Sequence, residues 1–407
     1  MSAVTFAIET QDTSSHARVG RVSTPNGDFQ TPAFMPVGTK ATLKGFLPPT
    51  IRDTGTEIVL ANTYHLMLRP GSDLIARRGG LHPFMGWPGP ILTDSGGYQA
   101  FSMSDINEIS DDGVRFKSII DGSQVSLTPE RAIEVQHELG ADIIMAFDDC
   151  PPSDEATSNY AARLDEANER TVRWLERCCD AHKGHEDRQG LFGIVQGGTD
   201  LARREWSIER VCQMDLPGFA IGGVAVGEGP EQIRRVVEHC GPLMPRDKPR
   251  YLMGVGYERD LVMAVRSGVD MFDCVLPTRN GRNANAFTRS GQIKLRNATY
   301  SEDDGPIEEG CDCLACDPSS HNWEMPSGPD GRHFSRAYIR HLFLADEMLG
   351  PMLVSLHNVR HFQRLMVDIR RAIREDGWSA LTRQWPVALA GLSASDGSAS
   401  PGEAVQG

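Results

Sequence analysis

Val269-Asp-Met-Phe-Asp-Cys-Val-Leu-Pro-Thr-Arg-Asn-Gly-Arg-Asn-Ala-Asn-Ala-Phe287 opens as a short apolar run and breaks at Pro277. Runs of this kind suit strands buried on both faces, as in a parallel sheet. A proline ends them because it has no N–H to give the ladder. The run carries one carboxylate, Asp273, near its end, and the turn expected after Pro277 bears Arg279 and Arg282. A carboxylate delivered to the carboxyl end of a buried strand is where a (β/α)8 barrel keeps its reactive groups.

Working outward, the same pattern recurs at Ala33–Val37, Glu57–Ala61, Ile91–Thr93, Asp142–Phe147, Leu191–Val195, Ala220–Gly222 and Tyr251–Met253, with Met271–Val275 as the eighth. Each run gives way to a polar or glycine-rich break and then to helical periodicity, so the fold class expected is α/β, a (β/α)8 TIM barrel. Thr128 as N-cap, Pro129 in the first turn and Gly140 as the stop delimit one helix. Others are expected over Glu155–His182, Leu201–Met214 and Gly229–His239. Gly20–Thr31 reads as a hairpin turning at Asn26-Gly27 and closing the barrel's bottom or packing beside it. Residues 101–127 form an inserted excursion with a second hairpin around Asp121-Gly122.

The 407 residues are 40% hydrophobic and 24% charged, the balance of a soluble globular protein. No apolar stretch approaches the roughly 20 residues that span a bilayer. The start of the chain has neither the basic residues nor the apolar segment of a signal peptide. Nine cysteines, including the adjacent Cys178 and Cys179 on a charged helical stretch, fit a reducing compartment, so a cytoplasmic location is expected. A net charge of −14 excludes a general nucleic-acid binder. It leaves room for a local basic patch, because salt confines surface fields to about 8 Å. Arg279, Arg282, Arg289, Lys294, Arg296, Arg332, Arg336, Arg340 and Arg360 crowd the last third, either as solvated faces or as a phosphate surface.

The residues at the strand ends are Asn62, Asp94, Asp148, Gln196, Gly222-Gly223, Gly254 and Asp273. Any one of them is an ordinary cap or turn residue; the set converges on one mouth. In Thr93-Asp-Ser-Gly-Gly-Tyr-Gln99 the glycines admit close approach of a ligand, and Tyr98 offers a face for stacking on a base. Asp148, in Phe147-Asp-Asp-Cys150, suits the adjacent N–H groups of a guanine-like ring, and Gln196 suits a ring carbonyl. The competing reading of Asp148 is a helix cap. Downstream, Cys311-x-Cys313-x-x-Cys316 offers three thiolates that need one more ligand for a closed tetrahedral site. His321, His333, His341, His357 and His361 are the candidates, and spacing does not choose among them.

These segments resemble the bacterial tRNA-guanine transglycosylases. The likeness runs through Leu60-Ala-Asn-Thr-Tyr-His-Leu66, Leu81-His-Pro-Phe-Met-Gly-Trp87, Thr93–Gln99, Met145-Ala-Phe-Asp148, Phe192-Gly-Ile-Val-Gln-Gly197, Ile221-Gly-Gly-Val-Ala-Val-Gly-Glu228, Tyr251-Leu-Met-Gly-Val-Gly256 and Asp273-Cys-Val-Leu-Pro-Thr-Arg279. It implies exchange of guanine at the tRNA wobble position for the 7-deazaguanine preQ1, on the route to queuosine. It makes Asp273 the nucleophile and Asp94 the general acid/base. Asn62, Asp148, Cys150, Gln196, Gly222, Gly223, Val224 and Glu228 would line the base pocket, with Tyr98 and Met253 sandwiching the ring. Val224 stands where the family usually has leucine, and Tyr257 where it can carry lysine. Arg279 and Arg282 would grip phosphates of the anticodon loop, and Cys150 and Val226 match the preQ1-using form.

The resemblance also names His357, at the start of the last helix, as fourth ligand to a structural Zn2+, and implies a homodimer. The expected organisation is a barrel with N-terminal hairpin over 1–300, a zinc-binding subdomain with terminal helices over 301–380, and a disordered tail over 390–407. The helices are expected at Ser335–Leu349 and Val359–Glu375, after a turn-rich, mobile loop at 317–333. Two other functions remain open on the residues alone: a carboxylate-dependent nucleoside or glycoside hydrolase, and a non-catalytic RNA-binding subunit of the same fold.

Overall fold

The computed structural model describes residues 2–102, 108–153, 159–321 and 333–389. An N-terminal antiparallel sheet, β1 (Thr5–Gln11), β2 (Arg18–Thr24) and β3 (Gly27–Thr31), precedes the barrel. The barrel strands are β4 (Ala33–Gly38), β5 (Val59–Ala61) and β6 (Ile91–Thr93), then β10 (Ile143–Met145), β11 (Gly190–Val195), β12 (Gly218–Ile221), β13 (Arg250–Leu252) and β14 (Met271–Cys274). Between them lies a small antiparallel sheet of β7 (Glu108–Ser110), β8 (Gly113–Lys117) and β9 (Gln124–Leu127); the hairpin β15 (Asn285–Thr288) and β16 (Gly291–Lys294) follows β14. All eight runs expected from the sequence are barrel strands, and the barrel closes through the parallel pairing of β14 with β4.

Met35, Leu60, Leu92, Met145, Phe192, Ile194, Tyr251 and Met271 fill the barrel, and Val22 and Phe29 of the first sheet join the same cluster. That sheet plugs the bottom. Asn26 donates through its backbone N–H (3.0 Å) and Nδ2 (2.9 Å) to Asp142, directly before β10. Arg18 grips Asp270, directly before β14, with two bonds of 2.9 and 2.6 Å. Strand β1 had no counterpart in the sequence reading, since Thr5–Gln11 mixes polar and apolar residues on an exposed edge. The β2–β3 register pairs Thr24 with Gly27, so the turn is Pro25-Asn26 rather than Asn26-Gly27.

The helix at Pro129–Leu139 has its Thr128 cap, bonded to Arg131 N–H, and its left-handed Gly140 stop. Other helices run Tyr160–His182, Leu201–Val211 and Pro230–Leu243; the expected start of the first, Glu155, lies outside the described residues. After β14 the chain forms a helix, Leu276–Arg282, where the sequence reading had a turn. Pro277 sits in its first turn, where a missing N–H costs nothing.

The C-terminal helices also differ from expectation: they are Arg336–Leu344 and a long Leu349–Glu375, followed by Trp378–Gln384. The long helix packs on β4, stacking Phe362 on Phe34 at 4.9 Å and donating Gln363 Nε2 to the Phe34 carbonyl at 2.9 Å. A buried His361–Glu258 contact of 2.8 Å ties it to the helix Glu258–Arg266. It therefore takes the place of the barrel's eighth outer helix, and the cysteine segment is an excursion between the eighth strand and that helix. The tail at 390–407 and most of the 317–333 loop lie outside the described residues; Pro318–His321 form a 3-10 turn.

Candidate active site and metal centre

Asp94 follows β6 and Asp273 lies in β14, and both carboxyls face the top of the barrel. Asp94 accepts from Thr63 N–H at 2.8 Å and from Asn62 Nδ2 at 2.5 Å. Asn62 also caps the helix Thr63–Leu68, accepting from His65 N–H at 2.9 Å, so it is fixed at both ends of its amide. Asp273 accepts from the Tyr251 hydroxyl at 2.6 Å and Gly254 N–H at 2.8 Å. Burial pushes Asp94 up to about 7, helped by the charge of Asp273, while the bonds from Thr63 and Asn62 oppose the rise. Burial raises Asp273 as well, against the bonds from Tyr251 and Gly254. Two carboxyls close enough to feel each other's charge, one of them raised to about 7, can divide the work of nucleophile and proton carrier.

Beside them Asp148 accepts from Gln196 Nε2 at 2.6 Å and from Ser95 Oγ at 3.2 Å. It is no helix cap; burial pushes it up to about 6. Its neighbour Asp149 has a different task, held by Arg163 and Arg170 at 2.8 and 2.7 Å. Cys150 is buried beside this group, its thiol raised by burial and by Asp148. Tyr98 lies in the first turn of the helix Gly97–Ser102, its hydroxyl raised by burial first and further by the charge of nearby Glu228. Gly222 abuts Gln196 and Met253: a Cβ there would sit 2.9 Å from Gln196 Nε2 and 3.6 Å from Met253 Sδ. Glu228 turns back on its own loop, accepting from the N–H groups of Ala225 and, at 2.9 Å, of Val226. It orients the Val224–Ala225 peptide.

Gly223 has φ +60°, and a Cβ on it would lie 2.1 Å from Gln196 Oε1. Left-handed backbone costs a side-chain-bearing residue roughly 1–2 kcal/mol, and Gln196 would have to leave Asp148. Gly223→Ala is expected to raise the KM for free base about tenfold or more with little change in melting temperature. An unchanged KM would remove Gly223 from the pocket.

Arg279 and Arg282 stand on the helix just beyond Asp273, with no ion pair among the described residues. Arg279 is exposed; Arg282 is half-buried, and its Nη1 is buried without a partner. Two cations that the sequence reading passed over join them. Arg282 and Lys40 both depress the Lys44 ammonium, second to burial, and Lys40 and Lys44 together depress His65 below its usual range, again second to burial. The signal was available: any closed barrel sets its first strand against its eighth, so Lys40 and Lys44 after β4 must flank the residues after β14. Most of the remaining basic crowd is structural. Arg360 pairs with Asp312 at 2.6 Å, Arg336 with Asp303 at 3.0 Å, and Arg340 donates to the Asn297 carbonyl. Arg332 lies outside the described residues.

Cys311, Cys313, Cys316 and His357 are all buried, and their donor atoms lie within 4.8 Å of one another. His357 Nδ1 is 3.6, 3.5 and 3.4 Å from the three sulfurs in turn. Metal–ligand bonds of about 2.0–2.3 Å at tetrahedral angles demand about 3.5 Å between ligands. His357 Nε2 donates to the Phe287 carbonyl at 2.8 Å, which leaves Nδ1 free of a proton and aimed at the sulfurs. The group can hold one metal ion. His357 lies in the interior of its helix, two turns in, rather than at its start. Three of the other four candidates are engaged elsewhere, His321 with the Asp312 carbonyl, His333 with the Asp304 carbonyl and His361 with Glu258. His341 stacks against Tyr338 at 6.4 Å and is not part of the group.

A closed parallel barrel with carboxylates at its strand ends, a cationic rim and a Cys3His group defines a (β/α)8 barrel of the kind that carries an active site at its strand ends. The family model for queuine tRNA-ribosyltransferase matches residues 12–389. The queuine tRNA-ribosyltransferase of Desulforamulus reducens is 50% identical over 373 residues, 92% of this chain and 95% of its own. That of Symbiobacterium thermophilum is 51% identical over 371 residues, 91% and 88% of the two chains. That of Staphylococcus aureus is 48% identical over 376, 92% and 94%. The chain belongs to the queuine tRNA-ribosyltransferase family, pentosyltransferases acting on tRNA guanine. Among the described residues no helix is long and apolar enough to cross a membrane.

Proposed function

We propose that this protein exchanges guanine at the wobble position of the tRNA anticodon for preQ1 by double displacement through a ribosyl–Asp273 ester. The observation that carries the reading is that Asp94 and Asp273, at the ends of barrel strands, lie close enough for the charge of one to raise the other. Asp148 and Gln196 are bonded to each other at the ends of the neighbouring strands, and Lys40, Lys44, Arg279 and Arg282 make no ion pair among the described residues. Asp273 attacks C1′ of the ribose; the C1′–N9 bond breaks and its electron pair leaves with guanine, which takes the proton carried by Asp94. Asp94 then removes the ring proton of preQ1 as that nitrogen forms its bond to C1′ and the ester breaks, restoring Asp273. Asp148 accepts from the N–H groups of the base edge, Gln196 and Gly223 meet its carbonyl, and Tyr98 and Met253 hold its faces. Arg279 and Arg282, with Lys40 and Lys44, hold the flanking phosphates, which fixes register without reading sequence. An unpaired loop suits this chemistry because its base leaves the stack at least cost.

Val226 is half-buried at the pocket edge, where its bulk favours the slender aminomethyl group of preQ1 over the ring of queuine. The Val224 carbonyl, fixed by Glu228, is the acceptor for that amine. Zn2+ is the ion we assign to the Cys3His group, whose four protein ligands leave no open position for catalysis. Two copies of the chain form the working assembly. Exposed Leu47 and Met348 (64% and 81% accessible) lie on segments that touch through Gly45 and Met352, an apolar face fit for a second copy. A cytoplasmic location fits tRNA as substrate.

Labelled guanine should enter tRNA, and preQ1 should displace it without net loss of base. Release of guanine without replacement would favour the hydrolase reading, and queuine used as readily as preQ1 would overturn the substrate assignment.

The raised Asp94 sets the pH dependence. In the free enzyme it loses its proton only as pH rises through about 7. The incoming preQ1 meets the ribosyl enzyme, where Asp273 is esterified and no longer helps raise Asp94, so kcat/KM for preQ1 should climb with pH to a limb somewhat below that value. Asp94→Asn should lose about 10²–10⁴ in rate, with the limb. Stability has the opposite sign. A carboxyl whose folded pKa is raised stabilises the fold fully at low pH, and that contribution is lost as pH rises through about 7. Asp94→Asn should therefore gain more in melting temperature over wild type at pH 8 than at pH 5. A gain that is equal at both pH values would mean that Asp94 is not the titrating group.

A further inference from the structure

Arg204, on the helix Leu201–Val211, has no exposed surface, and no carboxylate lies within ion-pair distance of it among the described residues. A buried charge without a counterion is costly unless hydrogen bonds satisfy it. Four backbone carbonyls do so. Nε donates to Gly198 O at 2.8 Å, Nη1 to Val195 O at 3.0 Å and Gly222 O at 2.7 Å, and Nη2 to Gly223 O at 3.0 Å. One guanidinium thus ties the end of β11, which carries Gln196, to the end of β12, which opens into Gly222-Gly223-Val224. In a planar trans peptide the carbonyl and the next N–H point in opposite directions. With the Gly222 and Gly223 carbonyls drawn to Arg204, the N–H groups of Gly223 and Val224 are turned away from it. Neither has an acceptor among the described residues.

We propose that Arg204 is a positioning residue that sets the pocket's choice of a 6-oxo over a 6-amino purine, by presenting the Gly223 and Val224 N–H groups together as donors to a ring carbonyl oxygen. The inference rests on the base-exchange reading above and assigns a cause to its selectivity. A purine bearing an amino group at that position brings donors against donors and leaves the pair unsatisfied, the kind of mismatch that discriminates far more strongly than a missing methylene. The guanidinium's rigid fork is what reaches four carbonyls at once; a lysine keeps the charge and loses the fork.

The test compares guanine with 2,6-diaminopurine, which differs at that position and lacks the N1–H that Asp148 accepts, as inhibitors of labelled-guanine exchange into tRNA. The N1 difference is common to wild type and variants, so the change in preference on substituting Arg204 is the readout. Wild type should prefer guanine by at least about 100-fold. In Arg204→Lys and Arg204→Gln the Ki of guanine should rise about tenfold or more while that of diaminopurine stays within about threefold, with metal content and the KM for tRNA unchanged. Parallel weakening of both bases would reduce Arg204 to a strand tie and overturn the proposal, as would an unchanged guanine Ki. Because a buried-arginine variant can fail to fold, a second measurement uses wild type. Amide hydrogen exchange across Gly222–Val224 should slow on adding guanine and not on adding diaminopurine, and equal protection by the two overturns it. Absence of any guanine exchange by wild type would sink the base-exchange reading instead, a separate outcome.

Discussion

Asp273→Ala is expected to abolish base exchange and, with it, any covalent RNA adduct that survives denaturation, while binding of tRNA and of free base persists. The loss should exceed about 10⁴-fold, since removing a nucleophile elsewhere costs on the order of 10⁶. The geometry makes this a clean deletion. Among the described residues Asp273 bonds to Tyr251 and Gly254 and to none of Asp148, Gln196 and Gly223, so these three should stay in place. The change strands the Tyr251 hydroxyl without an acceptor, a cost of about 1–3 kcal/mol. It also removes the like charge that helps raise Asp94, so Asp94 should titrate lower in the variant. Wild type stalled with tRNA in the absence of an exchangeable base should show the adduct on a denaturing gel, and Asp273→Ala should show none. An adduct that survives the substitution would transfer the nucleophile's role to another group, Asp94 first among them. A loss smaller than about tenfold would deny that covalent chemistry at Asp273 carries the reaction.

The parts of this molecule that were legible in its sequence are those where residue type and strand position coincide. Asp94, Gln196 and Asp273 could be read because a parallel barrel sends its strand ends to one face, and short apolar runs mark those ends. Asp148 could be read although it stands three residues past β10. What stayed hidden depends on pairings between distant segments. Lys40 and Lys44 become part of the cationic rim only through closure of β14 on β4. Arg204 looks in sequence like any arginine on an amphipathic helix, and only the arrival of four carbonyls makes it a buried clamp. The helix Leu276–Arg282 was misread as a turn because a proline after a strand signals a break equally well in either case. His357 was misplaced at a helix start because Gly350 and Pro351 look like an interruption. In the structure both fall in the helix's first turn, where a proline has no bond to break.

Stripping the metal, or replacing His357 with alanine, should cost the enzyme its grip on tRNA before its grip on the base. The reason is a short chain of buried contacts. His357 Nε2 holds the Phe287 carbonyl at 2.8 Å. The next residue, Asn358, accepts from Phe287 N–H at 2.9 Å and donates through Nδ2 to the carbonyls of Pro277 and Asn285, both at 3.0 Å. One turn earlier Ser355 presses so closely on Gly281 that a Cβ there would meet its Oγ at 2.5 Å. The stretch Ser355–Asn358 is therefore the seat of the helix that carries Arg279 and Arg282, and the metal group anchors that seat from the far side. Structural zinc supplies on the order of 10 kcal/mol in small domains that have little else. Here the long helix is also held by β4 and by Glu258, so the expected result is loosening rather than unfolding. The KM for tRNA should rise about tenfold or more and melting temperature should fall, while free guanine and preQ1 bind within about threefold of wild type. His357→Cys, which restores a fourth thiolate ligand but cannot hold the Phe287 carbonyl, should recover metal content and only part of the tRNA affinity. Complete metal removal with tRNA binding intact would cut the link between the two lobes, and equal loss of tRNA and base would make the metal a support of the whole barrel rather than of its cationic helix.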